Sequence, residues 1–162
     1  MVAMTRFSAT DFLTDKALQG VKTSAPVYRV QINDVLLRLQ MLKNNEMDAL
    51  WLPEPQATVA RELSNPVIWD TKKNDVCLGV IAFREKALQD RRVSQQVELF
   101  KKAYNLACDS LNKMGVGHFA DLIRKYCHVD LETIKKIPEQ SFSHISEPRE
   151  KDVIEARKWV GK

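Results

Sequence analysis

The sequence has no long apolar run, few cysteines and no block of charge of one sign. A membrane-spanning helix needs about twenty consecutive apolar residues, and no stretch of this chain comes near that length. The amino terminus also lacks the basic start and the apolar core of an export signal. We therefore expect neither a membrane span nor a signal segment in these 162 residues.

The cysteines and histidines do not form a recognisable disulfide or metal motif. Three cysteines without C-x-x-C spacing argue against a disulfide framework and a zinc site, so we expect them to be small buried apolar residues. The histidines lack the paired i, i+4 spacing of metal ligands. These six residues are Cys77, Cys108, Cys127, His118, His128 and His144.

The motifs of common catalytic sites are also missing. The chain contains no nucleophile elbow, no P-loop and no dinucleotide-binding fingerprint. The glycines at 115 and 117 follow a helical pattern instead of a strand, which favours a helix end over a phosphate loop. We predict that the protein is not an enzyme and that it uses no cofactor and no metal.

The charges are spread along the chain. The net charge of +4 is mild, and the basic doublets stand among acidic residues. A nucleic-acid interface would gather such charges on one face, whereas scatter favours an ordinary solvated surface, so we expect no nucleic-acid partner. With 44% apolar and 28% charged residues, the composition is that of a folded globular protein, and the length fits one domain or one lobe.

The first half of the chain alternates strand-like and helix-like patterns. Residues 2–7 form a short apolar run, residues 8–11 supply helix-capping side chains, and apolar helical spacing then continues to Gly20 as a stop. The same order of strand, cap and helix recurs over residues 27–45 and 49–63. Strands that alternate with helices predict an α/β fold.

Two further β-rich runs, at residues 66–69 and 77–83, are predicted as additional strands. We expect an open, largely parallel sheet with helices on both faces. From residue 86 onward only helical patterns occur. The predicted organisation is therefore an α/β ligand-binding lobe over residues 1–85 and a helical C-terminal segment over residues 86–162, which packs on the lobe or on a partner.

Polar side chains stand where three predicted strands give way to helices. In an open α/β sheet, such loops meet beyond the carboxyl ends of the strands, and the helix starts favour anionic or polar ligands. Glu54 would accept hydrogen bonds from a cationic or amine-bearing ligand. The alternative is that these side chains are plain helix caps or turn residues. The candidate ligand-binding residues are Arg6, Ser8, Thr10, Asn33, Asp34 and Glu54.

The stretch LLRLQMLKNNEMDALWLPEP, at residues 36–55, resembles type 2 periplasmic binding proteins, the solute-binding components of ABC importers. Its short polar turn, Asp-Ala, apolar strand and Glu-Pro are typical of the second lobe in nitrate, sulfonate, taurine and thiamine-precursor binders. GVIAFREKAL at residues 79–88 resembles the family's crossing strand to the hinge, and FKKAY at residues 100–104 resembles the next helix. The resemblance covers residues 1–110.

The resemblance implies capture of a small solute in a cleft between two lobes, for import through an ABC permease. It implies that Ser8, Thr10, Asn33 and Glu54 line this cleft. The solute would be an anion such as a sulfonate or nitrate, or a cationic ring such as a thiamine precursor. A full family member is periplasmic or is anchored outside the cytoplasm as a lipoprotein.

Full family members begin with another lobe, which we expect to be absent from this chain. The surfaces left exposed would favour a homo-oligomer, with exchange of the C-terminal helices as one form. Two other functions are compatible with the same resemblance. Effector domains of LysR-type transcription regulators share the fold, although no helix-turn-helix precedes the first strand. Fungal pyrimidine-precursor synthases resemble the family too, although their cysteine-rich motif is missing here.

Overall fold

The computed structural model describes residues 1–161 and has an α/β fold. Its strands within this range are β1 (Val2–Met4), β2 (Arg29–Gln31) and β3 (Ala49–Leu50). The α-helices are α1 (Ala9–Leu18), α2 (Val35–Lys43), α3 (Gln56–Glu62), α4 (Glu85–Leu88), α5 (Arg91–Met114), α6 (Ala120–Cys127), α7 (Leu131–Lys135) and α8 (Glu150–Val160), and a 3-10 helix covers Val116–Phe119.

The three strands form an open parallel sheet in the order β2-β1-β3. Ala3 lies opposite Val30 on one side and opposite Leu50 on the other. Because β1 is the central strand, Ala3 and Met4 are completely buried. The predicted α/β class and the parallel sheet are thus confirmed, with strands shorter than the sequence pattern indicated.

Side-chain caps fix where the first two helices begin. Ser8 Oγ accepts a hydrogen bond from the Thr10 amide at the start of α1, and the Asp34 carboxylate accepts from the amides of Leu36 and Leu37 at the start of α2. These bonds satisfy amides that have no partner inside the helix. The predicted order of strand, cap and helix is therefore correct both for β1 with α1 and for β2 with α2.

The predicted strands at residues 66–69 and 77–83 are wrong. Neither segment belongs to the sheet in the described part of the chain, and Ile68 and Val80 are exposed. Both segments have β-favouring composition, but such composition stabilises a strand only where a neighbouring strand can pair with it. Here the sheet ends at β2 and β3.

The expectation that all three cysteines are buried is also wrong. Cys108 is buried in α5 and Cys127 is half-buried at the end of α6, but Cys77 is exposed. Cys77 begins the segment that was predicted as a buried strand. Its exposure follows from the absence of that strand.

The chain divides into two compact units. The first unit contains Met1–Cys77 together with residues 151–161, and the second contains Leu78–Glu150. The sequence pattern placed a boundary after residue 85 and grouped α8 with the other C-terminal helices. In the structure α8 belongs to the first unit instead.

Helix α8 packs on α1 within the first unit. The ring of Trp159 meets that of Phe12 edge to face, with centroids 5.8 Å apart. Trp159 Nε1 also donates to Asp15 Oδ2 at 2.6 Å, and Lys16 pairs with Glu155. An aromatic contact with a bonded indole fixes both the position and the rotation of the helix.

The second unit is built on the long amphipathic helix α5. Val97 and Cys108 are buried on one side of this helix, and the helix ends at Gly115, which has a φ of 78°. A positive φ of this kind suits glycine because it has no Cβ. No helix within residues 1–161 is long and apolar enough to span a membrane.

Candidate functional site

Three loops meet at one edge of the sheet, the edge formed by the carboxyl ends of its strands. We call this edge the rim and define it by residues 5–8, 32–34 and 51–55, which follow β1, β2 and β3. All three strands are parallel, so their carboxyl ends lie side by side. The sequence-predicted site residues Arg6, Ser8, Asn33, Asp34 and Glu54 belong to these loops, and Thr10 is in the first turn of α1.

Arg38 of α2 forms hydrogen bonds with all three loops. Its guanidinium donates from Nε to the Ile32 carbonyl at 2.6 Å, from Nη1 to the Trp51 carbonyl at 3.0 Å, and from Nη2 to Thr5 Oγ1 at 2.7 Å. Each acceptor follows a different strand, and Arg38 itself is only 3% exposed. One rigid, planar donor group therefore sets the spacing of the whole rim.

Arg38 also places a buried positive charge next to the rim. Burial lowers the pKa of this guanidinium, and the charge of Asp34 partly opposes that effect. An arginine pKa is so high that the group keeps its proton at neutral pH. No carboxylate within residues 1–161 forms an ion pair with Arg38, since the acceptors of the guanidinium are two carbonyls and a hydroxyl.

The hydroxyls of Ser8 and Thr10 hold the first loop in shape. Ser8 Oγ donates to the Thr5 carbonyl at 2.7 Å, and Thr10 Oγ1 accepts from the Thr5 amide at 3.0 Å. The two hydroxyl oxygens are 3.1 Å apart. Their contacts are those of helix-capping and turn residues, which was the alternative interpretation of these positions.

Phe7 is presented to solvent at the tip of the same loop. It is 85% exposed, and its φ of 54° is unusual for a residue with a side chain. Its amide donates to Asp11 Oδ2 at 2.9 Å, and the Arg6 guanidinium carbon is 5.3 Å from the centre of its ring. Strained backbone of this kind is concentrated at functional sites, so Phe7 is a candidate that the sequence patterns missed.

Asp11 connects this loop to β2 and is 2% exposed. Its Oδ1 accepts from Arg29 Nη1 at 2.8 Å, while Arg29 Nη2 donates to Asp15 at 2.5 Å. Burial lowers the pKa of Arg29, but the bonds and charges of Asp15 and Asp11 outweigh burial, and the net pKa is raised. The loop that carries Phe7 is thus held by a partly buried ion pair.

The loop after β2 offers an amide to a ligand. Asp34 uses its carboxylate to cap α2, with distances of 2.8 and 3.0 Å to the amides of Leu36 and Leu37. Asn33 is exposed, and its side chain makes no hydrogen bond within the part of the chain that the structure describes. Of this predicted pair, Asn33 is therefore the one whose side chain can reach a solute without losing a contact.

Glu54 is engaged inside the protein. Its Oε2 accepts from the Thr58 amide at 3.0 Å and from Thr58 Oγ1 at 2.7 Å, and its Oε1 accepts from Arg61 Nη2 at 2.8 Å. Glu54 thereby serves the start of α3 as a cap does. A cationic ligand would have to displace Arg61 to reach this carboxylate.

The rim can present the aromatic face of Phe7, the carboxamide of Asn33 and the guanidinium of Arg6, whose Nε also pairs with Asp11 Oδ2 at 3.3 Å. These groups bind polar and anionic solutes by hydrogen bonds and stacking. Within residues 1–161 there is no group of three or more histidine, cysteine or acidic side chains that could hold a metal ion.

A scan of the chain against protein-family models finds no match, and searches of curated proteins and of solved structures find none either.

Proposed function

We propose that this chain is a ligand-binding lobe of a solute-binding protein and that it captures a small organic or inorganic anion for import through an ABC permease. In this proposal the protein acts outside the cytoplasm, as type 2 periplasmic binding proteins do, and performs no chemistry on the solute. The proposal rests on the sequence resemblance and on the rim.

The observation that carries the proposal is the position of the rim at a switch point of the sheet. In the order β2-β1-β3, the connection from β1 leads to β2 on one side of β1. The connection from β2 then passes β1 and leads to β3 on the other side. Parallel crossovers are right-handed in nearly all proteins, so we expect this reversal to put α1 and α2 on opposite faces of the sheet. Ligands of doubly wound sheets bind in the crevice at such a reversal, here between the loops after β1 and β3.

The charges at the rim favour an anion over a cationic ring. Arg6 is partly exposed while its Nε pairs with Asp11 Oδ2 at 3.3 Å, and Arg38 adds a buried positive charge that interacts with Asp34 without a direct ion pair in the described residues. The one carboxylate predicted to bind a cation, that of Glu54, is engaged by Thr58 and Arg61. A sulfonate or nitrate would gain charge-assisted hydrogen bonds from Arg6, and Phe7 would cover the carbon skeleton of an organic sulfonate.

Thermal-shift measurements on the 162-residue chain test the proposal. Ethanesulfonate and nitrate serve as anionic probes, and an aminopyrimidine precursor of thiamine serves as the cationic probe. At a ligand concentration of about 100 times Kd, binding stabilises the folded state by about 2.7 kcal/mol, which raises the melting temperature by several degrees. We expect this rise with at least one anionic probe and not with the aminopyrimidine.

Two variants locate the binding. Arg6→Gln and Phe7→Ala should abolish the rise, whereas Arg91→Gln, which removes an exposed arginine at the start of α5, should preserve it. A flat melting temperature with every probe would contradict the proposal. A rise that survives Arg6→Gln and Phe7→Ala would place binding somewhere other than the rim.

A further inference from the structure

The long helix of the second unit has an apolar stripe that its own unit leaves uncovered. Leu99 and Leu106 are 65% and 67% exposed, although Val97 and Cys108, on the other side of the same helix, are buried. Large apolar side chains exposed at the same face of a helix mark an interaction surface more often than scattered single residues do.

The stripe has the spacing of a helix–helix contact. Leu99, Ala103, Leu106 and Ser110 recur at intervals of four, three and four residues, which keeps them on one face over three turns. Leucine alternates with a small residue, so a second helix can approach closely and place its own leucine over Ala103 or Ser110.

A groove that shares Ala103, Leu106 and Ser110 with the stripe provides a place for that leucine. It has a volume of about 440 Å³ and lies between α5 and the segment from the 3-10 helix to α6. Its walls are almost entirely apolar and are formed by Ala103, Leu106, Ala107, Ser110, Leu111, Phe119 and Leu122.

The charges next to the stripe identify the occupant. Lys102 and Asp109 stand seven residues apart on the same flank of the stripe, and both are exposed. In an antiparallel pair of identical helices, equal flanks face each other. With Ala103 of one copy against Leu106 of the other, Lys102 of each copy meets Asp109 of its partner. The dimer therefore has two ion pairs, each between a lysine of one copy and an aspartate of the other.

We propose that a second copy of this chain docks antiparallel on α5, with Leu106 of each copy in the groove of the other. His144 bonds Oδ1 of Asp109 at 2.7 Å, and the partner's lysine would bond the other carboxylate oxygen. This surface is built from residues of the second unit and the rim from residues of the first, so the proposal does not depend on which solute the rim binds.

Sedimentation equilibrium on the full chain, over about 1 µM to about 1 mM, tests the proposal in a range that includes weak dimers. We expect a reversible monomer–dimer equilibrium. Leu106→Arg should leave only monomer, whereas Ile68→Arg, a change of equal chemistry at an exposed isoleucine of the first unit, should leave the equilibrium unchanged. Circular dichroism confirms that each variant is folded.

Charge reversal tests the antiparallel register. Lys102→Glu and Asp109→Lys should each raise the dimer dissociation constant about tenfold or more, because two attractive pairs become repulsive. The double variant restores opposite charges and should return the constant to near its original value. A chain that stays monomeric at all concentrations would overturn the proposal. So would a dimer that is indifferent to Leu106→Arg, which is the result expected if exchange of the C-terminal helices joins the copies.

Discussion

Replacing Arg38 by methionine should destabilise the first unit strongly, because this one side chain joins all three strand ends. Methionine has a similar length and fits a buried site, but it donates no hydrogen bond. The Ile32 carbonyl, the Trp51 carbonyl and Thr5 Oγ1 would each lose their bond from the guanidinium. Three bonds from a charged donor are worth about 1.5 kcal/mol each.

Part of the free energy lost with these hydrogen bonds is offset by a second effect. Burial lowers the pKa of Arg38, which shows that the site disfavours the charged form, and methionine removes this penalty. We therefore expect a net decrease of about 3 kcal/mol in the free energy of unfolding. Arg38→Lys should also destabilise, since an ammonium group cannot donate in the three directions of a guanidinium.

Tryptophan fluorescence during urea unfolding is a suitable assay, because Trp51, Trp69 and Trp159 all lie in the first unit. With a slope of about 2 kcal/mol per molar urea, a loss of 3 kcal/mol moves the midpoint down by about 1.5 M. The matched control is Arg157→Met on the exposed side of α8, which should change the free energy of unfolding by less than about 0.5 kcal/mol. If Arg38→Met shifts the midpoint no further than this control, Arg38 does not hold the rim together.

Two other predictions concern the ends of helices. Trp159→Ala removes the edge-to-face contact with Phe12 and the hydrogen bond to Asp15, and it should lower the free energy of unfolding of the first unit by about 2 kcal/mol. Helix α8 should then become sensitive to limited proteolysis. Unchanged resistance to the protease would contradict the packing of α8 on α1. The Asp130 carboxylate caps α7, and the bond from the Thr133 amide is the main cause of a lowered pKa. Because the folded pKa is below the unfolded one, the cap contributes stability above the ordinary aspartate pKa and loses it as the pH falls through the folded pKa. An NMR titration of this carboxyl that gives a normal or raised pKa would refute the assignment.

Local sequence signals predicted the first half of the fold well. Ser8 and Asp34 are short polar side chains directly before apolar helical patterns, and both cap the helices that they were expected to begin. Gly20 has a positive φ just beyond the end of α1. These features depend on neighbours within a few residues, so a single sequence contains the information.

Features that depend on distant partners could not be predicted. The segments at residues 66–69 and 77–83 are rich in β-favouring side chains, but whether a strand forms is decided by a partner elsewhere in the chain. Helix α8 follows the other C-terminal helices in sequence, yet it binds α1 through Trp159 and Asp15, 144 residues apart.

The sequence predicted where the candidate site lies, but not what each of its residues does. Its location at the carboxyl ends of the strands follows from the α/β pattern, and the structure brings the three loops together there. The roles of individual residues did not follow. In the sequence, Glu54 looked like a group available to a ligand, whereas contacts with Thr58 and Arg61 occupy both of its oxygens. Arg38 stood among leucines without any local sign that it reaches Thr5, 33 residues away.

An NMR titration with ethanesulfonate and, separately, with nitrate, recorded on backbone amides and on arginine side chains, tests most directly whether the rim binds an anion. We predict concentration-dependent shifts for Arg6, Phe7 and Asn33 that saturate together, with the amides of α5 unchanged as an internal reference. Saturating shifts confined to the second unit, or no shifts with either anion at concentrations of about 10 mM, beyond the range of ordinary solute binding, would contradict the account.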